Sequence, residues 1–423
     1  MRIAVFAAGG RGDVQPYVAL GKGLGDSGND VRLVTNLNYE HLVRSHDLDM
    51  LPVETDMQAV IENEKMREVL EKGNLLASMA QMSKALKRSA AEIAQRGLEA
   101  SQGADMLLVG ITGAFIGASL AEKTGLPLVQ ACNVPLTPTG AFPGALLSSL
   151  ASRLGTWYYR LSHHLTRQMI WQAYRPADRA VRRQVLGLSV NPFWGPYGSD
   201  VLRDGPVLYG FSPAVIAPPA DWASAATHVT GYWYLEPPDD WSPSAALTQF
   251  LETEPAPVYI GFGSMSNRKP EETTQLILRA LERTGQRAIV FSGWGGLEKS
   301  ELPESVLMVD STPHTWLFPR VAAVVHHGGA GTTAAGLRGG VPSIIVPFHG
   351  DQPFWGQRVA DLGVGPAPIP RSKLTTDRLV QALTRAKGDH AMRRRAAILG
   401  ARIREENGVA NAVAIIQRGQ RLQ

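Results

Sequence analysis

Asp13 stands directly behind a glycine-rich stretch, Gly9-Gly10-Arg11-Gly12. A carboxylate there can cap the first turn of a helix or serve as a general base at a cleft. Tyr259-Ile260-Gly261-Phe262-Gly263-Ser264-Met265 repeats the arrangement with a hydroxyl; Ser264 can close a tight turn or cap a diphosphate through its hydroxyl and backbone N–H. The most specific stretch is His326-His327-Gly328-Gly329-Ala330-Gly331-Thr332-Thr333. Its small residues open the backbone to a bulky anion, its threonines add hydroxyls, and a helix starting there adds N–H donors and a partial positive charge. A histidine beside it can donate to phosphate. Next comes Pro347-Phe348-His349-Gly350-Asp351-Gln352-Pro353. Asp351 accepts hydrogen bonds and Gln352 accepts and donates, a combination that can grip sugar hydroxyls or simply close a turn.

Such groups need strands and helices to aim them. Ile3–Ala8 is a short apolar run ending at the first glycines, followed by a helical pattern over Val14–Gly25 and a β-branched strand at Val31–Thr35. That β-loop-α-β order predicts a doubly wound parallel sheet. Further strands are expected at Met106–Gly110 and Leu128–Ala131, with a helix at Gly113–Thr124 between them and another over residues 75–98. Proline-rich sequence at about 212–245 marks a crossing between domains. The pattern then restarts, with strands at Val258–Gly261, Arg287–Phe291, Val306–Val309, Ala323–His326 and Ser343–Val346. Helices are expected at Pro270–Gly285 and near 388–404 and 409–421. Both the third and the fourth glycine stretch follow a strand, at the edge where doubly wound sheets bind ligands.

The 423 residues suit two domains of roughly 200 residues each. The expected division is an N-terminal domain over 1–215, a linker over 216–245, a C-terminal domain over 246–400, and a terminal helix over 401–423 that packs back toward the first domain. A net charge of +4 is no footprint for nucleic acid, and Arg393–Arg395 reads as a solvated helix face. Cys132 is the only cysteine, which excludes an intramolecular disulfide and argues against a cysteine-based zinc site; a reducing, cytoplasmic compartment fits. The N-terminal apolar run leads straight into Arg11-Gly12-Asp13 and reads as a buried strand rather than a signal peptide. No transmembrane span is expected, since the uncharged stretches are broken by glycine and proline. The dinucleotide pattern G-x-G-x-x-G fails at Gln15. Asp47-Leu48-Asp49 matches the D-x-D of metal-dependent sugar transferases but lies far from the glycine turns, and no metal is expected.

These stretches resemble the GT-B glycosyltransferases, the family of plant and mammalian UDP-glycosyltransferases, antibiotic glycosyltransferases and sterol glucosyltransferases. The resemblance is greatest to the sterol branch and its bacterial relatives. It rests on G-R-G-D-V-Q-P-Y-V-A-L-G-K-G-L from Gly10, Y-G-F-S-P from Tyr209, V-T-G-Y-W from Val229, G-F-G-S-M from Gly261 and F-S-G-W-G from Phe291. The longest shared run goes from Pro313 through H-H-G-G-A-G-T-T to P-F-H-G-D-Q-P-F-W. It implies an α/β chain of two Rossmann-like doubly wound domains facing a central cleft. The implied enzyme is a metal-independent, inverting glycosyltransferase that moves a hexose, glucose from UDP-glucose first, onto a lipophilic hydroxyl such as a sterol's. A polyketide, flavonoid or lipid acceptor with another UDP- or TDP-sugar is the alternative.

Carried over residue by residue, the resemblance makes Asp13 the catalytic base. It assigns donor contacts to Arg11, Gly12, Ser264, Trp294, Ser311, His314, His327, Gly329, Gly331, Thr332, Thr333, Asp351 and Gln352. The stacking tryptophan of plant enzymes has no counterpart in Val309–Thr312, which leaves uridine against thymidine open. No cofactor is implied beyond the nucleotide sugar as co-substrate. Met79, Met82, Phe115, Phe142 and Trp157 are candidates for an apolar acceptor wall, with core packing as the alternative and peripheral contact with a membrane surface a further one. The sequence leaves oligomeric state open. Outside this class stand a GT-B nucleotide-sugar epimerase, which needs no apolar acceptor cleft, and a non-catalytic binding protein, which would have lost Asp13 or His327.

Overall fold

A computed structural model describes the chain except residues 55–74, 149–154, 224–225, 239–240, 263–269, 292–301, 311 and 421–423. The chain divides into two compact units. Among the described residues the first comprises 1–54 and 75–235 and takes up the chain again from Glu406; the second comprises Glu236–Glu405.

The first unit is built on a seven-stranded parallel sheet of order β3-β2-β1-β4-β5-β6-β7. Its strands are β1 (Arg2–Phe6), β2 (Asp30–Asn36), β3 (Asp49–Val53), β4 (Met106–Val109), β5 (Leu128–Cys132), β6 (Val207–Tyr209) and β7 (Thr227–Val229). Its main helices are α1 (Arg11–Asp26), α2 (Leu75–Ser101), α3 (Ala114–Thr124) and α4 (Gly155–Ala180). Alternation along β1 divides the core. Ile3 and Val5 face Val14, Val18 and Leu24 of α1, whereas Ala4 and Phe6 face Ala90, Ile93 and Ala94 of α2 and Ile116 of α3.

The second unit holds a five-stranded parallel sheet of order β10-β9-β8-β11-β12. Its strands are β8 (Val258–Gly261), β9 (Ala288–Phe291), β10 (Val306–Val309), β11 (Ala323–His326) and β12 (Ser343–Ile345). Around them lie α5 (Ala245–Glu252), α6 (Pro270–Thr284), α7 (Ala330–Gly339), α8 (Gln352–Asp361), α9 (Thr376–Gly388) and α10 (His390–Glu405). Val258, Ile260 and Val325 pack against α6 and α9 through Ile277, Leu281, Leu379 and Leu383; Tyr259, Ile289 and Val324 pack on the other face with Phe318 and Ala335.

After α10 the chain returns to the first unit as α11 (Gly408–Gln420), whose Ala412, Val413 and Ile416 join the core around α1. The helices meet closely: a Cβ on Gly23 would lie 2.3 Å from Val409 Cγ1.

One expected boundary is corrected. The first helix starts at Arg11 rather than Val14, so Pro16 lies inside it instead of in its first turn. The reason is local. Gly10 is the N-cap in extended conformation, and Asp13 at the third helical position accepts a hydrogen bond from the Gly10 N–H. Strand order reverses between β1 and β4 in one sheet and between β8 and β11 in the other. Such switch points are where doubly wound sheets open a ligand crevice. No described helix is long and apolar enough to cross a membrane.

Candidate functional site

In the first unit the loop behind β1 sits at its sheet's switch point. Gly9, at φ +138°, donates its N–H to Asn36 Oδ1 at 2.9 Å, and a Cβ on it would strike Asp13 Oδ2 at 2.7 Å. Glycine is therefore required for the carboxylate to turn back over the loop. Asp13 Oδ2 accepts from Gly10 N–H at 3.1 Å, and the Asp13 N–H donates to Gly10 O at 2.8 Å. The capping geometry is thus present, and it fixes the carboxylate at a strand end. Beneath it the buried Tyr17 donates to Ala131 O at 2.7 Å.

Two further polar groups follow the neighbouring strands. Thr112 Oγ1, behind β4, and Asn133 Oδ1, behind β5, are buried without a hydrogen-bond partner among the described residues. A buried polar atom left unsatisfied calls for an explanation, and a ligand is one. Neither residue is among those expected from sequence. Their only signal is position, a few residues past predicted strands beside the Asp13 loop. Arg11, on the exposed side of the same turn, donates to Gln15 Oε1 at 3.1 Å, while nothing among the described residues approaches the Cβ position of Gly12 within 4 Å.

In the second unit the glycine loop follows β11, the strand across the switch point from β8. His326 ends the strand with its side chain buried, and its Nδ1 accepts from Gly328 N–H at 3.1 Å. That assigns the neutral ring a proton on Nε2. Burial, with His327 and His314 nearby, holds His326 well below the usual histidine range. Gly328, at φ +90°, has no room for a Cβ, which would meet Ile345 Cγ2 at 2.6 Å; a Cβ on Gly329 would meet His327 Nε2 at 2.5 Å. Gly331 is the opposite case, with nothing within 4 Å of its Cβ position among the described residues. The loop is thus closed on its protein side and open at the first turn of α7, where backbone N–H groups have no intrahelical acceptor. Thr332 is partly exposed there, whereas Thr333 is buried and its Oγ1 has no partner among the described residues.

The loop behind β12 abuts this one, with Gln352 O 3.2 Å from the Cβ position of Gly328. Gln352 is buried, and its Oε1 accepts from the N–H groups of Phe348 at 2.8 Å and His349 at 3.2 Å. Its oxygen therefore shapes the loop, which leaves the amide NH₂ as the group able to meet a ligand. Asp351 accepts from Trp355 Nε1 at 2.8 Å through Oδ2, and burial pushes its carboxyl above the usual range. Among the described residues His327 Nδ1 and His349 Nε2 are buried without partners, and burial lowers both rings to about 4. These are neutral imidazoles with unused hydrogen-bonding capacity, a setting that an anion would satisfy.

The other sequence candidates fall elsewhere. His314 Nε2 lies 3.2 Å from the Tyr259 hydroxyl, and its ring stacks on Phe318 at 4.4 Å. Ser264, Trp294 and Ser311, and the side chains of Met79 and Met82, lie outside the described residues. Phe115 is buried among Trp171, Tyr174 and Tyr197, so packing accounts for it. Phe142 packs edge-on against His163 and Trp222. Trp157 points outward from α4 and is 65% exposed. In the D-x-D stretch Asp49 pairs with Arg32 at 2.7 Å, and Asp47 occupies a left-handed turn at φ +57°.

Comparison with known proteins agrees with this architecture. Residues 3–143 match the glycosyltransferase family 28 N-terminal domain, and residues 288–413 match the erythromycin biosynthesis protein CIII-like C-terminal domain. A sterol 3-beta-glucosyltransferase of Arabidopsis thaliana is 35% identical over 99% of this chain and 68% of its own length. One from Cryptococcus neoformans var. neoformans serotype D is 36% identical over 99% of this chain, which spans only 27% of that relative. Among solved structures, the Streptomyces sp. SF2575 glycosyltransferase SsfS6, complexed with thymidine diphosphate, superposes with a TM-score of 0.64 at 20% identity, covering 99% of both chains.

Proposed function

Because this chain belongs to the sterol glucosyltransferase family of GT-B glycosyltransferases, we propose that it transfers glucose from UDP-glucose to the hydroxyl of a sterol or similar lipophilic acceptor, inverting the anomeric carbon. The observation that carries the reading is the loop at the head of α7. It combines an open Gly331, first-turn N–H donors and the unpartnered His327 Nδ1 in one strand-end turn. A diphosphate matches that donor set.

In this reading Asp13, steadied by Gly10 N–H, takes the acceptor proton. The acceptor oxygen forms its bond to the anomeric carbon as the bond to the diphosphate oxygen breaks, and the electron pair leaves with the diphosphate. His327 and the Gly331–Thr332 turn stabilise the charge that develops there, the largest contribution expected of such a site. Asp351 and the Gln352 amide take sugar hydroxyls. No cofactor takes part, and the nucleotide sugar is a co-substrate. Thymidine diphosphate in SsfS6 is a reason to assay TDP-sugars alongside UDP-glucose.

The test is incubation with UDP-glucose and a panel of sterols and simpler hydrophobic alcohols, read by mass spectrometry, with and without excess EDTA. A product heavier than the acceptor by one hexose, formed equally in EDTA, is expected. Nucleotide-sugar isomerisation with no acceptor product would favour an epimerase. Loss in EDTA restored by magnesium or manganese would refute metal-free transfer.

A further inference from the structure

The outward face of α4 carries apolar side chains that the proposed chemistry leaves unused. Trp157, Leu161 and Leu165 recur every four residues along it, and the two leucines are 43% and 44% exposed. Further along, the carbonyl of Phe193 accepts three hydrogen bonds from the same helix: Gln168 Nε2 at 3.3 Å, Trp171 Nε1 at 2.8 Å and Gln172 Nε2 at 3.0 Å. Gly195, at φ +88°, lets the turn close on the buried Trp171 ring, which a Cβ would meet at 3.0 Å. The turn is therefore fixed to the helix while the rings of Phe193 and Trp194 stay 51% and 71% exposed. In water, holding two aromatic rings outward in this way gains nothing from the hydrophobic effect.

The exposed charged side chains of α4 and of its continuation at 181–186 are all positive. Arg160, Arg179 and Arg183 are exposed, and Arg175 lies over the Phe193 ring at 4.9 Å. The only acidic residue of α4, Asp178, is buried. Asp221 partly offsets Arg160 at 3.4 Å, whereas Arg175, Arg179 and Arg183 have no ion-pair partner among the described residues. Tryptophan and leucine beside unpaired arginine is the composition of a surface lying at a lipid headgroup layer, with rings and aliphatic chains entering it and guanidinium groups against phosphates.

We propose that the outer face of α4 and the turn at 192–195 dock the protein on an anionic bilayer. The proposal rests on the transferase reading only in that a lipophilic acceptor partitions into such a surface; docking itself requires no reaction. Purified protein is sedimented with vesicles of phosphatidylcholine alone, or with phosphatidylserine added, in the absence of donor and acceptor. Binding to the anionic vesicles, weakened by salt, is expected. Leu161→Ser/Leu165→Ser/Trp194→Ser should lower partitioning about tenfold or more, and Arg179→Gln/Arg183→Gln should remove the preference for phosphatidylserine. Both variants should keep wild-type thermal melts and wild-type transfer to an acceptor dissolved in cosolvent. Failure of the wild type to sediment with anionic vesicles, or unchanged binding by the triple variant, would overturn the proposal. So would a wild-type dimer lost in the triple variant, which would assign the face to a second copy. Vesicle binding without transfer to any dissolved acceptor would support docking and refute the transferase reading.

Discussion

Asp13 and His327 each follow a strand that borders a switch point, β1 in one sheet and β11 in the other, yet they are assigned different tasks, and substitution should separate them. Asp13→Asn keeps the hydrogen bond from Gly10 N–H within reach of the amide oxygen but cannot take a proton. Turnover should fall by ~10²-fold or more with UDP affinity unchanged. His327→Ala should weaken UDP binding itself by roughly ten- to a hundredfold, as expected for a lost hydrogen bond to a charged group. Calorimetry with UDP beside steady-state rates reads both, and wild-type turnover in Asp13→Asn would refute the base assignment. Asp351 is a third case, because it lies in the loop behind β12 and its carboxylate accepts from Trp355 Nε1. Asp351→Ala should raise KM for the sugar nucleotide while leaving free UDP binding close to wild type. Equal losses for both ligands would mark Asp351 as structural. The stretches bearing these residues are legible in the sequence because glycine clusters between a strand and a helix have few other uses. Asp13's hydrogen bond to Gly10 is not legible, since it depends on the helix starting three residues before its apolar pattern does. Gln352 is legible as polar, but the commitment of its oxygen to two loop N–H groups belongs to the fold.

At the level of elements, β11, β12 and the loops behind them bring His327 and His349 into a buried setting that lowers both to about 4. An unfolded histidine titrates near 6.5. Between those values the unfolded chain binds more protons at these two rings than the folded one, so their burial makes stability fall as pH drops from about 6.5 toward 4. The raised carboxyl of Asp351 acts with the opposite sign just above the ordinary aspartate range, so the comparison should use a variant. The urea midpoint of the second unit should be lower at pH 5 than at pH 7.5, and His349→Asn should flatten the difference. A wild-type midpoint independent of pH would contradict the burial of these rings. The strands that carry them are among the easiest to read, being short β-branched runs a few residues before a glycine-bearing loop. β6 and β7 are not, because Val-Leu-Tyr and Thr-His-Val hold no period and each lies in proline-bearing sequence without a glycine cluster behind it. β3 contains Pro52, tolerable only because β3 is an edge of its sheet. By contrast α9 does announce itself: Thr375 caps Arg378 N–H, and Leu379, Ala382, Leu383 and Ala386 follow helical spacing. That element is absent from the expected order although its signals are present.

For the molecule as a whole, the contact of α1 with α11 makes a prediction whose sign is informative. In an exposed helix, glycine to alanine stabilises by up to about 1 kcal/mol. At Gly23 the added Cβ would lie 2.3 Å from Val409 Cγ1, a stiff β-branched side chain. Gly23→Ala should therefore destabilise the first unit, by roughly 1–3 kcal/mol from overpacking, and lower the midpoint of its thermal transition by several degrees. A raised midpoint would mean that α11 does not sit on α1.

The return of α11 to the first unit also sets an order of events during synthesis. As the chain leaves the ribosome, everything up to Leu235 emerges early, but the segment that covers the α1 side of this sheet emerges only after all of the second unit. Val14, Val18 and Leu24 must wait in the meantime with part of their cover missing. A nascent chain arrested before Glu406 would therefore present a sheet-and-helix layer with its strands paired and its packing incomplete, the kind of surface that chaperones bind. The unit made first is the unit finished last.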